Sequence, residues 1–202
     1  PREVWQLFGD NYYLFNGTPS GVWLDYEFKE VFGIKGRFNG KNAQMFYDII
    51  KARLETDEFL PRNLYSQFNI EVLSTTDSAT DDLKYHKKIQ EMDWNEKVIP
   101  CFRPDALTNL LNPAWDQELK KLEEITSIEI AQFSDFVSAI EKRREYFKDM
   151  GATSTDHGVT SPLTHTLSEG EVNAIFSRAL KGKATQKDAD LLTANMLMEL
   201  AT

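Results

Sequence analysis

The sequence predicts an α/β chain with parallel strands. It divides into a helical subdomain over residues 1–67 and a strand–helix alternation over residues 68–202. Three observations carry this. Short apolar runs near residues 69–74, 97–103 and 152–156 are separated by stretches of helical periodicity. Strands that alternate with helices argue for parallel βαβ units with right-handed crossovers. Each run also delivers polar groups at its C-terminal end: Asp77 after the first, Arg103 in the second, Asp156 and His157 with the third. A buried strand that ends in a charge is how an α/β barrel brings chemistry to its active face. Finally, no G-x-G-x-x-G follows any run, which argues against an open dinucleotide-binding sheet. Three parallel βα units do not close a barrel. The expected architecture is therefore part of a TIM-type (β/α)8 barrel, preceded by the helical subdomain.

In the first part, Val4, Trp5, Leu7, Phe8 and Tyr12 form an apolar stripe at near-helical spacing. The turn residues Asn16-Gly17-Thr18-Pro19-Ser20-Gly21 break it. Val22, Trp23, Tyr26, Phe28, Val31 and Phe32 then recur three or four apart, and Gly33 is a natural stop. A third helix fits residues 42–54. A fourth fits residues 60–68, with Pro61 in its first turn. The dense aromatics read as a small helical layer packed by Trp and Phe, in preference to an aromatic ligand cage.

In the second part, a helix is expected from Thr80-Asp81-Asp82, carrying Leu83, His86 and Ile89, and another over residues 114–122. Thr126-Ser127-Ile128-Glu129 has the form of a capping box and is expected to open the strongest helix, running to about Met150. Its apolar face is Phe133, Phe136, Val137, Ile140 and Phe147. Glu141, Lys142, Arg143, Arg144 and Glu145 are expected to be mostly solvated. Gly151 ends it. Ser168-Glu169-Gly170-Glu171 is a second capping box, opening a helix to about Leu180, and a last helix starts near Thr185.

Composition narrows the function. A net charge of -9, from 32 acidic and 23 basic residues, disfavours a nucleic-acid partner, which needs clustered Lys and Arg. A small anionic substrate stays compatible, because one local arginine outweighs a distant negative field. The one cysteine, Cys101, cannot staple a fold or build a Cys-rich zinc site, and reads as a small buried hydrophobe in a reducing compartment. No apolar run approaches the roughly 20 residues of a membrane span, and no signal peptide is visible. A cytoplasmic protein without a membrane partner is expected. The chain opens on Pro1-Arg2-Glu3 and stops at Met198-Glu199-Leu200-Ala201-Thr202, inside an apolar helical pattern, so an internal piece of a longer chain is expected.

Arg103 is the leading candidate. Its guanidinium stays charged and offers a planar fork of donors suited to a carboxylate, a phosphate or a developing oxyanion. Pro104 restricts Arg103 to extended backbone angles. The alternative is a structural pairing with Asp105, Asp77 or Asp156. Asp156 and His157 suit a metal pair, an acid–base pair or a hydrogen-bonded corner. Neighbouring strand residues point to opposite faces, however, and no H-x-H or H-E-x-x-H is present. Thr75, Thr76 and Asp77 suit either a hydroxylated ligand or Asx-type turns that start the next helix. Cys101 makes a poor nucleophile, with no histidine near it in sequence.

Ser74-Thr75-Thr76-Asp77 with Asp81-Asp82-Leu83 and His86, then Phe102-Arg103-Pro104-Asp105, then Asp156-His157-Gly158, resemble the uronate isomerase family, a branch of the amidohydrolase superfamily. Arg2-Glu3, Gly17-Thr18-Pro19, Trp23 and Phe32-Gly33-Ile34 fit the family's helical insertion in the same order. The resemblance implies a distorted (β/α)8 barrel with a helical insertion after its first strand. It implies reversible aldose–ketose isomerisation of D-glucuronate to D-fructuronate and of D-galacturonate to D-tagaturonate, a proton moving between C2 and C1. It implies a divalent metal, often zinc, held by an H-x-H pair and an aspartate whose motifs do not occur in this segment. No cofactor is therefore expected within it. Asp10-Asn11-Tyr12 is out of register with the family's D-H-Y motif. The partners implied are a small anionic sugar acid, the remainder of the chain's own protein and, as an open alternative, further copies in a homo-oligomer. Arg103 matches the active-site arginine of the R-P-D motif; Asp156 and His157 carry over as active-site wall. The segment alone is expected to be inactive. A non-catalytic assembly module and a metal-dependent hydrolase of the same superfamily are the alternatives.

Overall fold

Among the described residues, all strand pairings after residue 70 are parallel. The computed structural model describes residues 1–94 and 97–201 and divides into two units, Pro1–Ile70 and Glu71–Thr202.

The first unit holds helices α1 (Arg2–Asp10), α2 (Pro19–Tyr26), α3 (Ala43–Leu54) and α4 (Pro61–Gln67). Thr18 caps α2 by accepting from the Gly21 N–H at 3.1 Å, and Pro19 occupies the first turn, where its missing N–H removes no bond. A π-turn over Glu27–Val31 extends α2, and Gly33 follows in the left-handed region at φ 66°. Tyr12, Phe28, Ile34, Phe38, Ala43 and Phe46 form the core. Their rings meet edge to face, as Phe28 on Phe46 at 5.2 Å and Tyr12 on Phe38 at 5.0 Å, the geometry the ring quadrupole favours. Gly9 lets α1 lie close on α3, and Trp5 donates its indole N–H to the Ala43 carbonyl at 2.7 Å.

In the second unit the strands are β1 (Val72–Ser74), β2 (Asp77–Ser78), β3 (Lys97–Ile99) and β4 (Phe102–Arg103). β1 pairs with β3 and β2 with β4. Thr75 N donates to Ile99 O at 3.0 Å and Asp77 N to Cys101 O at 3.0 Å, which carries the ladder across the breaks. The first run thus spans residues 72–78, later than the expected 69–74. The second is interrupted at Pro100, which has no N–H to give to a ladder. The third expected strand, residues 152–156, reduces to one bridge from Phe102 to Thr155. Ala152 is its only apolar residue, so little burial holds the rest in register. Val72 and Leu73 stay 46% and 38% exposed, although parallel strands usually have both faces covered.

The helices of this unit are α5 (Lys84–Gln90), α6 (Asp105–Thr108), α7 (Trp115–Thr126), α8 (Phe133–Asp149), α9 (Glu169–Ala179) and α10 (Gln186–Glu199). Phe102, Leu107, Trp115, Leu122, Phe136 and Phe176 lie in its core. α5 starts at Lys84 and not near Thr80, because the Asp81 and Asp82 carboxylates accept from the N–H groups of Leu83 and Lys84 and hold an Asx-type turn. Thr126 does not cap α8. Its hydroxyl donates to Leu122 O at 2.6 Å as the last residue of α7, and Ser127 takes a left-handed conformation. The capping box of α8 is Gln132 with Asp135. Those of α9 and α10 are Ser168 with Glu171 and Thr185 with Asp188. Arg143, expected in solvent, is 7% exposed.

Among the described residues, no helix is long and apolar enough to cross a membrane.

Candidate functional site

β4 brings Arg103 beside β2, where its register partner is Ser78, and beside the third run through the Phe102–Thr155 bridge. Asp156 N donates to Phe102 O at 3.0 Å, which fixes the start of the 156–158 turn against the end of β4. The Arg103 guanidinium is thereby flanked by two acids. Its Nε donates to Asp105 Oδ2 at 2.6 Å and its Nη1 lies 3.6 Å from Asp156 Oδ2. The same Asp105 oxygen accepts the Gly158 N–H at 2.8 Å. The Asp105 hydrogen bond raises the Arg103 pKa further above its ordinary value, so the cation is permanent.

Arg103 is 41% exposed at its side chain, open enough to meet a ligand. Asp105 and Gly158 also wall a cleft of about 370 Å³ between the loop after residue 158 and α10, with Thr160, Asp190 and Thr193 among its lining. A larger open groove of about 960 Å³ runs between α8 and residues 152–155, and Arg103 does not line it.

The structure brings Arg103 and Asp156 together. His157 is half-buried in the same turn, and Thr76 is exposed on the adjacent run. Asp77 belongs to a different cluster. Thr75 Oγ1 donates to Asp77 Oδ2 at 2.6 Å and lies 2.8 Å from His86 Nε2. The hydroxyl has one proton. Asp77 Oδ2 and, at 3.3 Å, Ile99 O are its acceptors, which suits a His86 tautomer that donates from Nε2 to the hydroxyl. Strand alternation places Thr75 and Asp77 on one face, which is why Thr76 is left outside the cluster.

Two participants carry no strong sequence signal as site residues. In the sequence Asp105 is one of three alternative partners for Arg103, although Arg-Pro-Asp spacing places it close by. Gly158 acts through backbone approach: a Cβ there would lie 2.5 Å from Arg103 Nη2 and 2.8 Å from Asp105 Oδ2.

Among the described residues, no group of three or more His, Cys, Asp or Glu is placed to hold a metal ion. The Asp77–His86 pair offers two ligand types and a hydroxyl, already satisfied by one another.

The chain is 46% identical over 200 residues to a uronate isomerase of Nostoc punctiforme, covering 99% of this chain and 42% of that protein. It is 42% identical over 200 residues to one of Rhizobium meliloti, covering 99% and 43%. A crystal structure of glucuronate isomerase from Caulobacter crescentus superposes with a TM-score of 0.92 at 39% identity, covering 100% of this chain and 42% of that one. The chain thus spans less than half the length of these relatives. The family model described as glucuronate isomerase matches residues 1–202 throughout, and the chain belongs to that family.

Proposed function

We propose that this chain is the part of a uronate isomerase that supplies Arg103 and Asp156 to the substrate site. Its three parallel runs would be consecutive strands of a (β/α)8 barrel, and residues 1–67 a helical insertion. The observation that carries this is an exposed, permanently charged arginine at the C-terminal end of a parallel strand, beside a carboxylate, in a chain of this family. The reaction is reversible aldose–ketose isomerisation of D-glucuronate or D-galacturonate in the cytoplasm, in which a proton moves between C2 and C1 through an enediolate.

In that reaction Arg103 donates to substrate oxygen, holding hydroxyls or carboxylate and stabilising the enediolate oxygen as charge develops. Asp156 accepts from a substrate hydroxyl and orients the sugar chain. Thr76, exposed near the same strand ends, lines the wall with His157. A divalent metal such as zinc would polarise the carbonyl from ligands on other parts of the protein.

The test grafts residues 1–202 in place of the matching segment of the Nostoc punctiforme relative. A folded chimaera should interconvert D-glucuronate and D-fructuronate. Arg103→Ala within it should lower kcat/KM by about 10²-fold or more, the scale of losing an oxyanion contact. A folded but inactive chimaera overturns the assignment, and near-native turnover of Arg103→Ala overturns the role of Arg103. The 202-residue chain alone should not isomerise either sugar acid.

A further inference from the structure

Arg103 is held in a way its substrate role does not require. A half-exposed arginine has many rotamers of similar energy, and a ligand that needs one of them must restrict the rest on binding. Here a single carboxylate oxygen, Asp105 Oδ2, accepts from Arg103 Nε at 2.6 Å and from the Gly158 backbone N–H at 2.8 Å. Gly158 lies 53 residues beyond the aspartate it donates to. One oxygen therefore joins the end of β4 to the turn that carries Asp156. Binding through Nε leaves Nη1 3.6 Å from Asp156 Oδ2 and Nη2 beside Gly158. Gly158 completes the seat: a Cβ there would stand 2.5 Å from Nη2 and 2.8 Å from Asp105 Oδ2. A side chain here would displace the ends of Arg103 and Asp105, so close approach, and not a left-handed backbone, disfavours it.

We propose that Asp105, with Gly158, is a positioning element that fixes the Arg103 guanidinium, and Asp156 beside it, in the geometry that receives the substrate. Asp105 acts through Arg103 and does not itself touch the sugar. The proposal rests on the reading of Arg103 as a substrate-contacting residue. It makes the 156–158 turn and the arginine one preorganised unit.

A double-mutant cycle in the full-length isomerase tests it, with kcat, KM and thermal midpoint read for each variant. Asp105→Ala should lower kcat/KM by about tenfold or more in the wild-type background and by less than about twofold in the Arg103→Ala background, since the two changes disable one element. Asp105→Asn, which keeps an acceptor oxygen but not the charge, should fall between. Gly158→Ala should lower kcat/KM without removing any polar group, and should likewise lose its effect when Arg103 is absent. If Asp105→Ala does not fold, Asp105→Asn and Gly158→Ala carry the same cycle. Equal losses in both backgrounds, or a lowered thermal midpoint with unchanged kcat/KM, overturn the positioning role and leave the Arg103 reading intact. Near-native turnover of Arg103→Ala overturns both, and is recognised from that single variant.

Discussion

Arg143 Nε lies 2.8 Å from the carbonyl oxygen of Ala79, and the same guanidinium reaches Asp81 O through Nη2 at 2.7 Å. It also lies over the Tyr146 ring, 4.3 Å from the centroid. A buried cation on α8 thus holds the loop that leaves β2, and burial lowers its pKa from the ordinary arginine value. Hydrogen bonds to charged groups contribute roughly 1.5–3 kcal/mol each, and removing the donor strands the buried Ala79 carbonyl and the part-buried Asp81 carbonyl. Arg143→Ala should destabilise the protein by about 3 kcal/mol in denaturant unfolding. Glu141→Ala, on the exposed face of the same helix, should stay within about 0.5 kcal/mol. Equal effects would contradict the anchoring role.

Gly9→Ala should reverse the usual sign of that substitution. In an open helix it gains about 1 kcal/mol from propensity. Here the new Cβ would stand 2.6 Å from Ala43 Cβ and 3.3 Å from Asn39 O. Overpacking costs roughly 1–3 kcal/mol, so a net loss is expected. A raised thermal midpoint for Gly9→Ala would show that α1 and α3 separate without penalty.

Asp188 should make stability depend on acid. Its Oδ2 accepts from Arg178 Nε at 3.1 Å and from Thr185 N at 3.0 Å, and Arg178 in first place holds the carboxyl well below the usual carboxylate range. The folded-state pKa is depressed, so the stabilisation is complete above the unfolded value near 4 and fades as pH falls below it. Asp188→Asn should cost about 1–2 kcal/mol at pH 7, the range for losing an N-terminal cap. The gap to wild type should narrow below pH 4. A gap that widens in acid would reverse the assignment.

His86→Ala should remove the donor to Thr75 and leave a void in a side chain now 7% exposed. A loss of about 2–3 kcal/mol is expected from the unmade bond and the cavity together. His86→Gln, which retains an amide donor, should recover part of it. Identical midpoints for the two variants would mean that the hydrogen bond contributes nothing.

What the sequence made legible follows the range of the interaction. Ser168 and Glu171 cap α9 as their spacing implies, because both partners lie within one turn. Thr126-Ser127-Ile128-Glu129 carries the same pattern and fails. Thr126 can bond back to Leu122, while Phe133 and Phe136 are buried from the next register onward. Arg103 was legible as a charge closing an apolar run. Its seat was not, since Asp105 meets Gly158 only once the third run lies beside the second. Arg143 reads as solvated because a cation among Glu141, Lys142 and Arg144 ordinarily faces water. Its burial depends on carbonyls more than 60 residues earlier in the chain.

Cys101 gives the strand layer a built-in reporter. It is the only cysteine, 7% exposed, and its carbonyl accepts the Asp77 N–H between β3 and β4. A thiol reagent can reach the sulfur only when the runs part. The labelling rate at increasing reagent concentration therefore reads how often this layer opens, and whether it opens alone or with the whole molecule.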